Sequence, residues 1–258
     1  MKDILVAFGR ATRSLFRRDI FWHLVWPGLV SMLVWTVVAI LAWVPVTDWV
    51  FAWVGGWSFV GSWISASDAA AAVTLVLIKI AVALAFVPLV YVTAALIVAA
   101  IALPLMLERV GRSDYTDLEQ RRGGSNLGSA VNSVVAGLLF ILLLVLSLPF
   151  WLIPGVGLLA SVVLTGWLNQ RAFGYDALML HADPEELDRL RRDWRPQMLL
   201  LGGGGALLAY VPVVNLIAPA YAGLAFVHYL LERLRHDRHV RGVMLLDAEP
   251  RDSQQTTQ

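Results

Sequence analysis

The sequence predicts an all-α integral membrane protein, and three observations carry that prediction. Of the 258 residues 59% are hydrophobic and 15% charged, against about 25% charged in an ordinary soluble domain, and mean hydropathy is +0.70. The apolar residues fall in runs long enough to cross a bilayer. Two of those runs are broken at their midpoints by proline: FWLIPGVGLLAS, Phe150 to Ser161, and LAYVPVVNLIAP, Leu208 to Pro219. The expected architecture is two long transmembrane helices plus two proline-broken, partly inserted helical hairpins and an N-terminal interfacial helix. These form a single helical membrane domain, residues 1–246, followed by a disordered tail, 247–258.

The elements follow in chain order. In residues 1–23, Ile4, Phe8, Ala11 and Leu15 recur at helical spacing while Arg10, Arg13 and Arg17 hold the other face. That pattern suits a helix lying on an anionic leaflet. Two spans occupy residues 24–107. Leu24 to Val46 is the first, anchored by Trp22, Trp26 and Trp43, with Pro27 in its opening turns where proline costs least. Thr47 to Asp68 carries Trp49, Trp53, Trp57 and Trp63 among glycines and is read as a loop along the far interface. Ala69 to Leu107 is uncharged except for Lys79. As one helix it measures about 58 Å, roughly twice the hydrocarbon thickness, so it is expected to be kinked near Pro88 and to emerge into the cytoplasm.

The hairpins are residues 130–173 and 198–231. Proline removes a backbone donor and clashes with the preceding turn, so each run should be two helices joined by a tight turn. In hydrocarbon, broken backbone survives where protein buries it or a water-filled cavity solvates it, and paired breaks in corresponding halves mark transport pathways. The leading arm of the second hairpin, Met198 to Val211, spans ~21 Å against ~30 Å of hydrocarbon. It is therefore read as re-entrant. Between the hairpins, Asp183-Pro184-Glu185-Glu186 is a helix start: aspartate cap, proline at the first position, acids in the first turn.

Arginine clusters precede the first span (Arg10, Arg13, Arg17, Arg18), follow the second (Arg109, Arg112, Arg121, Arg122), separate the hairpins (Arg189, Arg191, Arg192, Arg195) and follow them (Arg233, Arg235, Arg238, Arg241). The segment between the first two spans has none. The positive-inside rule then places both termini in the cytoplasm.

Enzyme chemistry is not expected. Gly202 to Gly205 lacks the Gly-Lys-Ser/Thr of a phosphate loop and reads as close helix packing. His236 and His239 lack further ligands for a metal. No cofactor is implied, no cysteine is present, and a net charge of +1 with acids beside the arginines argues against nucleic acid. Lys79 is an ionisable residue deep in a span, a functional candidate by default. At the second tip Asn215 is a polar group positioned to face a pathway.

Three stretches resemble the CysZ-type sulfate permeases of the etoposide-induced membrane protein family. They are the first tip with Gly166-Trp167-Leu168 and Tyr175-Asp176, the second tip VPVVNLIAP with its Arg-rich trailing helix, and ALPLMLERV from Ala102 to Val110. The resemblance implies a bacterial inner-membrane permease or channel for a small anion, sulfate above all, embedded among lipids and assembling as a homo-oligomer. It also implies anion binding by Arg17 and Arg18. From the residues themselves, Pro154, Gly155, Gly157, Pro212, Asn215 and Lys79 are expected to line the route. One departure is visible. The permeases carry Gly-Leu-Arg-Arg ahead of the first span; here the segment is Leu15-Phe16-Arg17-Arg18, with leucine in place of glycine and about one helical turn more before Pro27. A non-transporting membrane scaffold that kept the fold and lost the anion site is the alternative.

Overall fold

The computed structural model describes residues 1–211 and 214–242; all secondary structure in them is helical. They divide into two compact units, one of Leu24–Ala100 and one of Met1–His23 with the residues from Ile101 onward.

The first unit belongs to α2 (Arg18–Gly55), α3 (Ser58–Ala66) and α4 (Asp68–Ile97). The tryptophan-rich segment is a correction to the expected loop: α2 runs on to Gly55 and α3 follows it. Trp49, Trp53 and Trp57 recur every four residues. Trp49 stacks on Trp53 at 6.2 Å and Trp53 meets Trp57 edge-on at 4.8 Å. Pro45 lies inside α2, yet the apolar helix continues past it to Gly55-Gly56. Ser67 caps α4 by accepting from the Ala70 amide, 3.1 Å. Between α2 and α4, Ser31 donates to the Val90 carbonyl (2.7 Å) and the Trp35 indole to Thr93 (2.9 Å). Polar side chains thus satisfy one another between apolar helices.

Three helical stretches are long and apolar enough to cross a membrane: Arg18–Gly55, Asp68–Asp114 and Asn126–Leu152. Of their most apolar windows only 6%, 17% and 11% is buried by protein. Leu33, Ile40, Leu41, Leu84 and Leu138 are all exposed. Apolar surface on that scale needs a lipid solvent.

The long helix after Ser67 is continuous as expected, with Pro88 inside it. A π turn, Val98–Ala102, separates α4 from α5 (Leu103–Asp114). Pro104 has no amide to offer the Ala100 carbonyl, and the turn widens just ahead of it.

In the second unit α10 (Ala218–Val240) is the central element: every residue from Ala222 to Leu231 is buried. α1 (Lys2–Leu15), α5, α7 (Val156–Asp176) and α9 (Arg195–Leu208) all pack on it. Gly223 lets α5 approach, since a Cβ there would lie 3.0 Å from Leu103 Cδ1. The face of α1 assigned to a leaflet is covered instead by α10. Ile4, Ala7, Ala11 and Leu15 are buried, Phe8 stacks on Tyr221 at 5.6 Å, and Arg10 pairs with Glu232 at 2.5 Å. Burial of an aliphatic side chain of this size contributes roughly 1.5–3 kcal/mol, which holds α1 to protein.

Both proline runs do break. α6 (Asn126–Ser147) passes through a 3-10 turn, Leu148–Leu152, before α7 begins; α9 is followed by a 3-10 turn, Val214–Leu216, and α10. α7 and α9 cross at glycines. A Cβ on Gly202 would lie 2.4 Å from the Gly166 carbonyl oxygen, and Asn169 donates to the Gly202 carbonyl at 3.1 Å. The glycine run is therefore helix packing, as expected. α8 (Pro184–Asp193) starts in a full capping box: Asp183 accepts from the Glu186 amide (2.8 Å) and Glu186 from the Asp183 amide (2.9 Å).

Candidate functional site

Arg17 lies in the turn between α1 and α2, where α1 stops after Leu15. Leu15, at the glycine position of the resemblance, is 4% exposed, so its side chain serves the packing on α10. Arg17 is committed to acids of its own fold. Its Nε and Nη2 donate to Asp19 (3.3 and 3.1 Å), and its Nη1 donates to Asp114 (2.7 Å) and Ser113 (3.1 Å). Arg109 donates to Asp19 as well, 3.2 Å. Two carboxylates thus hold the donors that an anion would need. Arg18, one residue on, is exposed and has no ion pair among the described residues.

At the first tip Pro154 and Gly155 are exposed and Gly157 is buried. Gly155 has φ +83°, a left-handed conformation that glycine adopts without strain. Gly157 gives room to Trp151, whose ring and backbone lie 3.0 Å from where a Cβ would stand. At the second tip Asn215 is exposed and its amide donates to the Val211 carbonyl, 3.0 Å; Pro212 lies outside the described residues, as does the 247–258 tail. Lys79 lies on the exposed face of α4. These positions are dispersed along the chain.

A different basic constellation is brought together. Arg171 of α7, Arg191 and Arg192 of α8 and Arg195 of α9 line a pocket of about 340 Å³ with Trp167, Gln170, Asp188 and Met198. The α7–α9 glycine crossing and the Gly174–Met198 contact set its walls; a Cβ on Gly174 would stand 3.2 Å from Met198 Sδ.

A family model described as sulfate transporter CysZ/etoposide-induced protein 2.4 matches residues 7–219. The chain belongs to this CysZ/etoposide-induced family. No curated protein and no solved structure matches it. The family is one of transporters, and the chain is a membrane protein by its apolar helices.

Within this CysZ/etoposide-induced member, sequence reasoning takes Arg191, Arg192 and Arg195 only as charges that orient the chain and passes over Arg171. The signal that could have found them is Arg171. It stands within an arm read as partly inserted, four residues after Trp167, where a bare orientation charge has no purpose. A second missed group is the buried His228, whose Nε2 is 2.8 Å from Ser14 Oγ and whose Nδ1 is 3.1 Å from the Tyr115 hydroxyl. The Tyr115 hydroxyl also lies 3.1 Å from, and donates to, the His228 carbonyl. His228 thus ties α1, the segment after α5 and α10 together.

Proposed function

We propose that the protein is a permease or channel for a small oxyanion, sulfate first among them, in a bacterial inner membrane, with both termini cytoplasmic and copies of the chain assembled together. The observation that supports this reading is the family match across 7–219, on a chain with three helices able to cross a bilayer. The second broken hairpin reaches into the membrane without crossing it, while the leading arm of the first, Asn126–Leu152, is long enough to cross. The two tips, with Pro154, Gly155, Gly157, Pro212 and Asn215, line the route, and Lys79 adds charge beside it. Arg18 concentrates the anion at the entrance. Arg17 takes part when Asp19 and Asp114 release it.

One observation favours a second reading, a scaffold of the same fold that has lost transport. Leu15 is buried where the permeases have glycine, and the Arg17 donors are already taken by Asp19, Asp114 and Ser113. Radiolabelled-sulfate uptake into neutral-lipid liposomes containing the purified chain separates the two. Uptake above that of empty liposomes, lowered by Arg17→Gln with Arg18→Gln, supports the permease. Uptake equal to that of empty liposomes under a sulfate gradient leaves the scaffold.

A further inference from the structure

Guanidinium groups in this fold usually find a carboxylate. Among the described residues ten arginines lie within 4.0 Å of one. None of the four that line the α7–α8–α9 pocket does, although Asp188 stands in the same wall. Arg13, Arg18 and Arg122 also lack a partner, but they are exposed and lie apart. Arg171 and Arg191 are half-buried, where an unpaired charge is costly. Arg171 Nε is fully buried and has no hydrogen-bond partner.

The pocket also orients its cations. The Arg171 guanidinium lies 5.8 Å from the centre of the Trp167 ring and that of Arg191 lies 5.5 Å from Tyr175. Cation–π contact fixes a guanidinium by its face and leaves its N–H edge available. Burial, together with the neighbouring charges of Arg171 and Arg195, pushes the Arg191 guanidinium below its ordinary value, Asp188 opposing. Four cations line a concave site with one carboxylate, Asp188, and a second, Asp176, acts on Arg191 only through space, so positive charge is in excess.

We propose that this pocket binds a tetrahedral oxyanion group, gripped by Arg171 and Arg191, with Arg192 and Arg195 adding charge at the exposed side. Planar guanidiniums match such oxygens bidentately. The same chemistry is offered by a free sulfate or phosphate ion and by the phosphate of a lipid headgroup. The assignment deepens the anion reading above by giving it a second site, and rests on binding rather than flux.

The test uses the purified full-length chain, delipidated in neutral detergent. Radiolabelled sulfate and inorganic phosphate are measured by equilibrium dialysis at ionic strength fixed with chloride, and retained phosphatidylglycerol by native mass spectrometry. Saturable binding of at least one of these probes is expected. Arg171→Gln with Arg191→Gln should weaken it at least about tenfold, because two charge-assisted contacts are lost. Asp188→Asn keeps every arginine and removes the opposing charge, so it should tighten binding several-fold even if the double variant folds poorly. Sulfate displaced by short-chain phosphatidylglycerol identifies a headgroup site; sulfate unaffected by it identifies a free-ion site. Absence of all three probes from the wild-type chain overturns the proposal, as does affinity unchanged in both variants. Binding with these responses but no liposome uptake keeps the pocket and removes transport. Uptake with binding indifferent to both variants does the reverse.

Discussion

Arg238 and Glu186 form a buried bidentate ion pair, with Arg238 Nε 3.0 Å from Glu186 Oε1 and Nη2 2.8 Å from Oε2. The arginine side chain is 1% exposed and the glutamate 7%. Arg238 also donates to the carbonyls of His181 (2.7 Å) and Glu119 (3.1 Å). Glu186 is at the same time the return half of the α8 capping box. One pair therefore joins α10, α8 and the two segments beside them.

Breaking that pair from one side should be costly. Glu186→Gln leaves Arg238 buried with a neutral partner, and Arg238→Met leaves Glu186 with only its longer contact to Arg121, 3.6 Å. Removing one member of a buried pair typically costs about 3–5 kcal/mol. Thermal unfolding in detergent should show a clear loss in each single variant. Arg238→Lys should rescue little, because an ammonium cannot span two carboxylate oxygens and two carbonyls at once. A melting temperature unchanged in Arg238→Met would remove the pair from the stabilising contacts.

Stability should fall on mild acidification. The buried His181 has its pKa lowered to about 4 by burial first, then by the charges of Arg238 and Arg112, against an ordinary value of about 6.5. Above 6.5 both folded and unfolded chains hold a neutral imidazole and the contribution is complete. As pH falls from 6.5 towards 4 the unfolded chain takes up the proton first, and stability of the order of 3 kcal/mol is lost. His181→Gln should flatten the melting-temperature profile over that window. A slope identical in variant and wild type would exclude His181 as its source.

The α7–α9 crossing is testable by two adjacent glycines. Gly202→Ala places a Cβ 2.4 Å from the Gly166 carbonyl oxygen, whereas Gly203→Ala meets nothing nearer than Val162 Cγ1 at 4.0 Å. Overpacking typically costs roughly 1–3 kcal/mol, and alanine favours a helix interior over glycine. Gly202→Ala should lower the detergent melting temperature while Gly203→Ala leaves it equal or higher. Equal losses in the two would mean that the helices do not meet at Gly202.

The depth of the second hairpin follows from arm length. α9 has 14 residues, about 21 Å of helix, short of the ~30 Å hydrocarbon. Single cysteines at Val214 and Asn215 in oriented vesicles should resist membrane-impermeant thiol reagents added from the periplasmic side. Rapid labelling from that side would make the tip an extracellular loop and end the re-entrant reading.

Much of the secondary structure was legible because its causes are local. Asp183, Pro184 and Glu186 announce a capped helix within four residues, and Pro154 followed by Gly155 announces a break. The helix through Trp49 and Trp53 was misread as loop because glycines and interface residues outweighed a spacing of four that was equally plain. The site was less legible because its partners are distant in the chain. Nothing near Arg17 reveals that Asp114 will take its Nη1, and the arginines of the α7–α9 pocket come from three separate helices. Charge clusters orient a membrane protein by number alone; whether each charge is neutralised depends on the tertiary fold.

The enclosure of α10 by its neighbours carries a consequence for the order of events in synthesis. α1 leaves the ribosome well before α10, the helix that covers its apolar face and begins at Ala218. At roughly 5–20 residues per second that interval is on the order of 10–40 s. Through it Ile4, Ala11 and Leu15 have no α10 to rest on, while the arginines opposite them favour an anionic surface. The apolar face of α1 therefore needs another cover until α10 is made, and its burial in the folded chain is a late event of synthesis.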